Sequence, residues 1–173
     1  GIGVMVINKN HRWSNPLSRA TSQRSPGSFS LPLALAAAAA LTGWLKDAAT
    51  ESDRIRQLIQ MMREVITRTI PDVDIAGSGA KSESLPHILS CSALKISGER
   101  LVHALAAEGF AVASGSACVA SAFEPSHVLR AMGLLTHGNF RISLMHGVAE
   151  SEVKRFLALL PSIIAQLRTE GGA

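Results

Sequence analysis

The 173 residues of this chain are 47% hydrophobic and 17% charged, which is enough apolar sequence to bury a core in one domain or in two small ones. The net charge of +4 is uneven, because residues 1–46 contain no acid, but dispersed cations with few aromatic residues exclude a nucleic-acid-binding surface. Two cysteines without a secretory signal exclude a disulfide framework and favour a reducing, cytoplasmic compartment.

The first elements along the chain predict part of an α/β domain. Residues 2–7 form an apolar run that is typical of a strand covered on both faces. A polar loop over 8–30 contains the turn signal Pro26-Gly27. An alanine-rich helix is expected over 31–46, because this run is too short to span a membrane and lies too far from the N-terminus for a signal peptide. Since the chain starts inside a strand, we expect it to be part of a longer protein.

A second helix follows, and a domain boundary is predicted just before it. Thr50 or Ser52 is the expected N-cap, and Pro71 is expected to end the helix. The polar stretch at 46–52 predicts a division into domains of residues 1–48 and 49–173. The residues that share the apolar face of this helix are Ile55, Leu58, Ile59, Met62, Val65, Ile66 and Thr69.

The C-terminal part alternates strands with helices, which favours α/β layer packing. Strands are predicted over 87–93, 110–113 and 140–144. Helices are predicted over 98–108, with Ser97 as N-cap, over 125–132 and over 151–168. The residues of the last helix expected to face inward are Val153, Phe156, Leu157, Leu160, Ile164 and Leu167.

Cys118 is the candidate nucleophile. It follows Ser114-Gly115-Ser116-Ala117, a small and hydroxyl-rich stretch that favours an exposed, mobile thiol. An inert loop cysteine remains the alternative on position alone. Cys91 lies among bulky apolar neighbours, and we predict that it belongs to the core.

Arg141 and Ser28 are candidates for anion binding. Phe140 and Ile142 should face the core, so the Arg141 guanidinium should point to the opposite side, where its planar fork suits a carboxylate. Ser28, after a turn in the basic loop, offers a hydroxyl to a phosphate. The alternative for Arg141 is a solvated strand residue, and the alternative for Ser28 is a simple turn residue. The histidines lack metal-ligand spacing, and no metal site is predicted.

Residues 84–168 closely resemble the small domain of cysteine desulfurases, which are pyridoxal-phosphate enzymes of the class V aminotransferase superfamily with fold type I. The resemblance implies an α/β protein made of this α+β small domain plus the last strand and helix of the large domain. Ser25 to Pro32 resembles the loop that reaches a neighbouring subunit's cofactor. The motifs that carry the resemblance are Leu85-Pro86-His87-Ile88, Ser114 to Cys118, Glu124 to Gly133 and Phe140 to Leu144.

The resemblance implies a function for each candidate residue. Cys118 matches the cysteine that takes sulfur from L-cysteine as a persulfide while L-alanine is released. Arg141 matches the arginine that binds the substrate's α-carboxylate, and Ser28 matches a residue that contacts the phosphate of pyridoxal 5′-phosphate across the interface of a homodimer. The sulfur would pass to an acceptor protein or an iron–sulfur scaffold, for iron–sulfur clusters, thiolated cofactors or thiolated tRNA.

One departure from the family limits these expectations. The family attaches its cofactor to a lysine that follows a histidine, and no lysine of this chain follows a histidine. We therefore expect the chain by itself to be inactive. Two alternatives stay open: a selenocysteine lyase or other class V pyridoxal-phosphate lyase, and a non-catalytic sulfur-relay or dimerisation module. Neither a membrane nor a nucleic acid is an expected partner.

Overall fold

The computed structural model describes residues 2–13, 30–77, 85–114 and 126–171. The chain divides into two compact units, Gly1–Ala49 and Thr50–Ala173. Among the described helices, none is both long and apolar enough to cross a membrane.

The first unit contains one helix and no strand within its described residues. The strand predicted over 2–7 is wrong, and the side chains of Val4 and Val6 are 82% and 91% exposed. A strand is held by hydrogen bonds to a neighbouring strand, and this segment has no such neighbour in the described part of the unit. The predicted alanine-rich helix is present as α1, Leu31–Leu45, and none of its residues is buried.

Helix α2, Ala48–Thr69, begins earlier than predicted. Thr50 and Ser52 lie inside its first turns, so the prediction that either caps the helix is wrong. Alanine is the best helix former, and Ala48 and Ala49 extend the helix towards its N-terminus. The predicted apolar face is largely confirmed, with Val65 half-buried and Thr69 exposed as the exceptions. The buried residues of α2 are Ile55, Leu58, Ile59, Met62 and Ile66.

The second unit contains a four-stranded antiparallel sheet of order β1-β2-β4-β3. Strand β2 and strand β4 lie within one residue of the strands predicted over 87–93 and 140–144, whereas β3 starts three residues later than expected. Strand β1 was not predicted. The strands are β1, Val73–Ile75, β2, Ile88–Ala93, β3, Ala113–Ser114, and β4, Asn139–Ser143.

Three helices complete the second unit: α3, Gly98–Ala107, α4, His127–Ala131, and α5, Glu150–Glu170. The predicted Ser97 cap is confirmed, because its hydroxyl accepts a hydrogen bond from the backbone N–H of Arg100 at 3.4 Å. The Ser126 hydroxyl caps α4 in the same way, accepting from the N–H of Leu129 at 3.3 Å. All six residues of α5 that were expected to face inward are buried.

The sheet has one apolar face and one polar face, because successive side chains of a strand point to opposite sides. The apolar face packs in a single hydrophobic cluster with residues of α2, α3 and α5. It carries Leu89 and Cys91 of β2 and Phe140 and Ile142 of β4. The opposite side, called the polar face below, carries Ser90, Ser92, Asn139, Arg141 and Ser143.

Candidate functional site

Arg141 lies on the polar face with a neighbouring strand on each side. In the ladder it is opposite Ser90 of β2 and Ala113 of β3. Its side chain is exposed, while the flanking Phe140 and Ile142 are 0% and 5% exposed. The alternation that the sequence indicated is therefore present, and a long cationic side chain projects from a rigid part of the sheet.

The surroundings of Arg141 leave its guanidinium open to a ligand. Within residues 2–13, 30–77, 85–114 and 126–171 it has no hydrogen-bond or ion-pair partner. Its ladder neighbours Ser90 and Ala113 and the nearby Ser143 carry hydroxyl or methyl groups and no charge. A guanidinium whose five donors have no partner in the described part of the chain suits a carboxylate, which it binds through two parallel hydrogen bonds.

Asn139, two residues before Arg141, fixes β4 to β2 on the polar face. Its amide nitrogen lies 3.1 Å from the hydroxyls of Ser90 and Ser92 and 3.0 Å from the carbonyl of Cys91. Asn139 is 9% exposed and Ser92 is 2% exposed. Asn139 was not predicted as a site residue. The sequence could have indicated it, because Asn139 is a polar residue two positions before Arg141 and strand alternation places both on the same face.

The β1 side of the polar face is covered. The carboxylate of Asp74, on β1, accepts a hydrogen bond from the backbone N–H of Leu135 at 2.9 Å. This bond holds the segment before β4 against that side of the sheet. Arg141 and Ser143, further from β1, stay exposed. The accessible part of the polar face is therefore the part around Arg141.

The two cysteines differ in what the structure says of them. Cys91 is 1% exposed on the apolar face, and burial raises the pKa of its thiol to about 12, against a small opposing effect of Arg63. Because the thiolate is the nucleophilic form, Cys91 is unreactive at neutral pH, and its predicted place in the core is confirmed. Cys118 and Ser28 lie outside the described residues.

The two described lysines of the second unit do not fit the attachment of pyridoxal 5′-phosphate beside Arg141. Lys154 lies on α5, on the apolar side of the sheet, and its ammonium is 2.7 Å from the Glu150 carboxylate. Lys95 lies in the turn after β2. Across the described residues there is also no group of three or more residues arranged to hold a metal ion.

Comparison with known proteins identifies the family. The model of the family described as "Aminotransferase class-V" matches residues 5–156. The chain belongs to the class-V aminotransferase family. The match includes α1, α2, the whole sheet and the first third of α5.

Curated relatives of this class-V aminotransferase chain carry a more specific name. A cysteine desulfurase of Azotobacter chroococcum mcd 1 is 30% identical over 176 residues, covering 97% of this chain and 43% of the relative. The "Cysteine desulfurase NifS" of Azotobacter vinelandii is 30% identical over 174 residues, covering 97% and 42%. A cysteine desulfurase of Cereibacter sphaeroides is 37% identical over 118 residues, covering 66% and 30%. The chain thus spans less than half the length of these relatives.

Solved structures agree on the fold. A structure named "NIFS-LIKE PROTEIN" superposes with a TM-score of 0.72 and 24% identity, covering 93% of this chain and 41% of that one. A NifS-like protein from Rickettsia africae superposes with a TM-score of 0.69 and 18% identity, covering 90% and 41%. The fold expected from the resemblance, an α+β domain of this superfamily, is confirmed.

Proposed function

We propose that this class-V aminotransferase chain is the C-terminal part of a pyridoxal-phosphate-dependent cysteine desulfurase, which converts L-cysteine to L-alanine and holds the sulfur as a persulfide on Cys118. In this proposal residues 1–48 belong to the large cofactor-binding domain, and residues 49–173 form the small domain. The family match over residues 5–156 and the relatives named cysteine desulfurase support it. The observation that carries it is the Arg141 guanidinium on the polar face, which has no partner among the described residues and lies beside the strand that leads to Cys118.

Arg141 binds the α-carboxylate of L-cysteine. The side chain starts from the middle of the sheet, between β2 and β3, so its base is held by two ladders. The described residues provide no competing acid, and a bidentate carboxylate would satisfy two of its donors. Such a contact contributes to the affinity for the substrate and also orients the substrate's amino group and sulfur.

Cys118 accepts the sulfur. Strand β3 ends at Ser114, and the four residue-to-residue steps from Ser114 to Cys118 span at most about 14 Å. The thiolate attacks the substrate sulfur, so that a sulfur–sulfur bond forms and the carbon–sulfur bond breaks. The electron pair of the broken bond goes to the substrate carbon, which takes a proton and becomes the methyl group of alanine. The other cysteine, Cys91, is buried and protonated and does not compete.

The cofactor is attached outside this chain in this proposal, because no lysine of this chain follows a histidine, as the attachment lysine of the family does. Ser28 contacts the cofactor phosphate across the interface of a homodimer. The enzyme is cytoplasmic and passes its persulfide sulfur to an acceptor protein or an iron–sulfur scaffold. The isolated 173-residue chain is accordingly inactive towards L-cysteine.

The test uses the full-length reading frame that contains this chain. Purified enzyme is given L-cysteine and dithiothreitol, and alanine and sulfide are both quantified. Cys118→Ala is expected to lower both products at least 100-fold, and Cys91→Ala is the matched cysteine control that retains them. Undiminished release by Cys118→Ala would contradict the proposal. If the enzyme is instead a selenocysteine lyase, the Cys118→Ala variant should still release selenide from selenocysteine.

A second candidate is a non-catalytic sulfur-relay or dimerisation module. The sequence favours it, because no lysine of this chain follows a histidine. The discriminating observation is the yellow absorbance of a bound cofactor, together with turnover, in the full-length product. Absence of both, with Cys118 still accepting sulfur from a persulfide donor, would favour the module over the enzyme.

A further inference from the structure

Two side chains near the start of α2 hold the turn that follows the Arg141 strand. The Glu51 carboxylate accepts hydrogen bonds from Nε and Nη2 of Arg54, both at 2.7 Å, and from the backbone N–H of Gly147 at 2.7 Å. The remaining nitrogen of the guanidinium, Nη1, donates to the carbonyl of Val148 at 2.9 Å. The Glu51 side chain is 12% exposed. Glu51 and Arg54 are called the turn clamp below.

The turn clamp gives fixed partners to backbone groups outside regular structure. Residues 144–149, between β4 and α5, are neither strand nor helix. Leu144 donates to the carbonyl of His87 and Val148 donates to that of Met145. The N–H of Gly147 and the carbonyl of Val148 are bound by the clamp. The clamp therefore holds two backbone groups of this segment in one geometry.

The end of β4 needs such an anchor because its pairing is one-sided there. Ala113 and Ser114 of β3 pair with Arg141 and Phe140, so β3 does not extend to Ser143. Ser143 pairs with Ile88 of β2 alone among the described strands. A strand end with one neighbour frays more readily than one with two, and fraying here begins two residues from Arg141.

We infer that Glu51 and Arg54 are positioning residues, which fix the end of β4 and thereby the direction in which Arg141 presents its guanidinium. The clamp lies at the start of α2, close to the division between the two compact units at residues 49 and 50. It thus joins the substrate-binding strand to the helix through which the chain enters the second unit. This inference rests on the proposed function of Arg141.

The sequence of α2 provides variants that separate positioning from a general effect on helix stability. Glu51→Ala removes the clamp. The exchange Glu51→Arg with Arg54→Glu keeps an ion pair at the same spacing, but an arginine cannot accept from the N–H of Gly147. Asp53→Asn is the matched control, since it breaks the other such pair of α2, Asp53 with Arg56, which is 70% and 58% exposed and does not contact the turn.

Two measurements are made on these variants. Amide hydrogen exchange in the 173-residue chain is expected to quicken at least tenfold at Gly147 and at Leu144, whose N–H donates to the carbonyl of His87, in Glu51→Ala and in the exchanged pair, and to stay unchanged in Asp53→Asn. In the full-length enzyme both clamp variants are expected to raise KM for L-cysteine about tenfold while kcat stays within twofold. Wild-type KM in either clamp variant would overturn the inference, even with faster exchange at Gly147.

A failure of the proposed function is distinguishable from a failure of this inference. If the full-length wild type releases no alanine, the proposed function fails, and the Nε–H resonance of Arg141 in the NMR spectrum of the chain reports its orientation instead. A shift of that resonance in both clamp variants and not in Asp53→Asn supports positioning. An unshifted resonance refutes it.

Discussion

Ala113 and Arg141 lie directly opposite each other in the ladder between β3 and β4. The strand that leads into the Cys118 motif therefore starts beside the arginine that we propose for the substrate's carboxylate. In the proposed enzyme, the arginine that anchors the substrate therefore lies on a strand paired with the one that precedes the sulfur-accepting cysteine in the sequence. A change in the pairing of these strands would alter the distance between the two groups.

Replacing Arg141 with lysine tests the need for a planar fork. Lysine keeps the charge but offers a single ammonium, so we expect KM for L-cysteine to rise at least about tenfold, equivalent to about 1.4 kcal/mol of binding. Steady-state kinetics of the full-length enzyme give this value. Ser143→Ala, an exposed change on the same face, should leave KM within twofold. Wild-type KM in the lysine variant would contradict carboxylate binding by Arg141.

Thiol labelling tests the difference between the two cysteines. Cys91 is buried with its pKa raised to about 12, so it should react with a disulfide reagent only when the chain unfolds. We expect one thiol of the native chain, assigned to Cys118, to react rapidly with the reagent, and the second thiol to react only in denaturant. Cys118→Ala should abolish the rapid phase. A rapid phase that persists in this variant would show that Cys91 is accessible.

Acid should weaken the turn clamp at an unusually low pH. The pKa of Glu51 is lowered to about 2, chiefly by the hydrogen bonds from Arg54 and next by the hydrogen bond from the N–H of Gly147. The charges of Arg54 and His146 lower it by smaller amounts. A carboxyl with a lowered pKa stabilises the folded state above its unfolded pKa, about 4.3, and this contribution is lost as the pH falls through its folded value.

The measurement is the urea midpoint of the chain between pH 6 and pH 2. Glu51→Gln should lower the midpoint at pH 6 and lose less stability than wild type on acidification. Asp53→Asn provides the control for a general effect of removing one carboxylate from α2. Parallel curves for wild type and Glu51→Gln would contradict the assignment.

Phe140 and Arg141 are neighbours in sequence, but replacing them is expected to change the free energy of unfolding by very different amounts. Phe140 is 0% exposed in the core, and its replacement with alanine should lower the free energy of unfolding by about 3–5 kcal/mol. Arg141→Ala removes an exposed side chain without a described partner and should change it by less than about 0.5 kcal/mol. Urea unfolding of both variants checks this. A large loss in Arg141→Ala would assign that arginine a structural role.

Much of the second unit was predictable from the sequence because its elements depend on near neighbours. The apolar residues of α5 recur at helical spacing, and every residue expected to face inward is buried. Ser97 caps α3 through an N–H three residues away. The alternation around Arg141 likewise required only Phe140 and Ile142, and the apolar surroundings of Cys91 predicted its burial. Helical periodicity, capping and strand alternation are all set within a few residues of the chain.

Tertiary structure decided what depends on distant residues. Strand β1 has three residues and exists through its ladder with β2, while the apolar run at 2–7, with no partner strand in the described residues, forms no strand. The clamp joins Glu51 to Gly147, which are 96 residues apart. An E-x-x-R spacing on a helix indicates an ion pair, but it does not reveal which turn the pair will hold. Backbone pairing gains its stability from whichever segment folding brings alongside, and local sequence does not encode that choice.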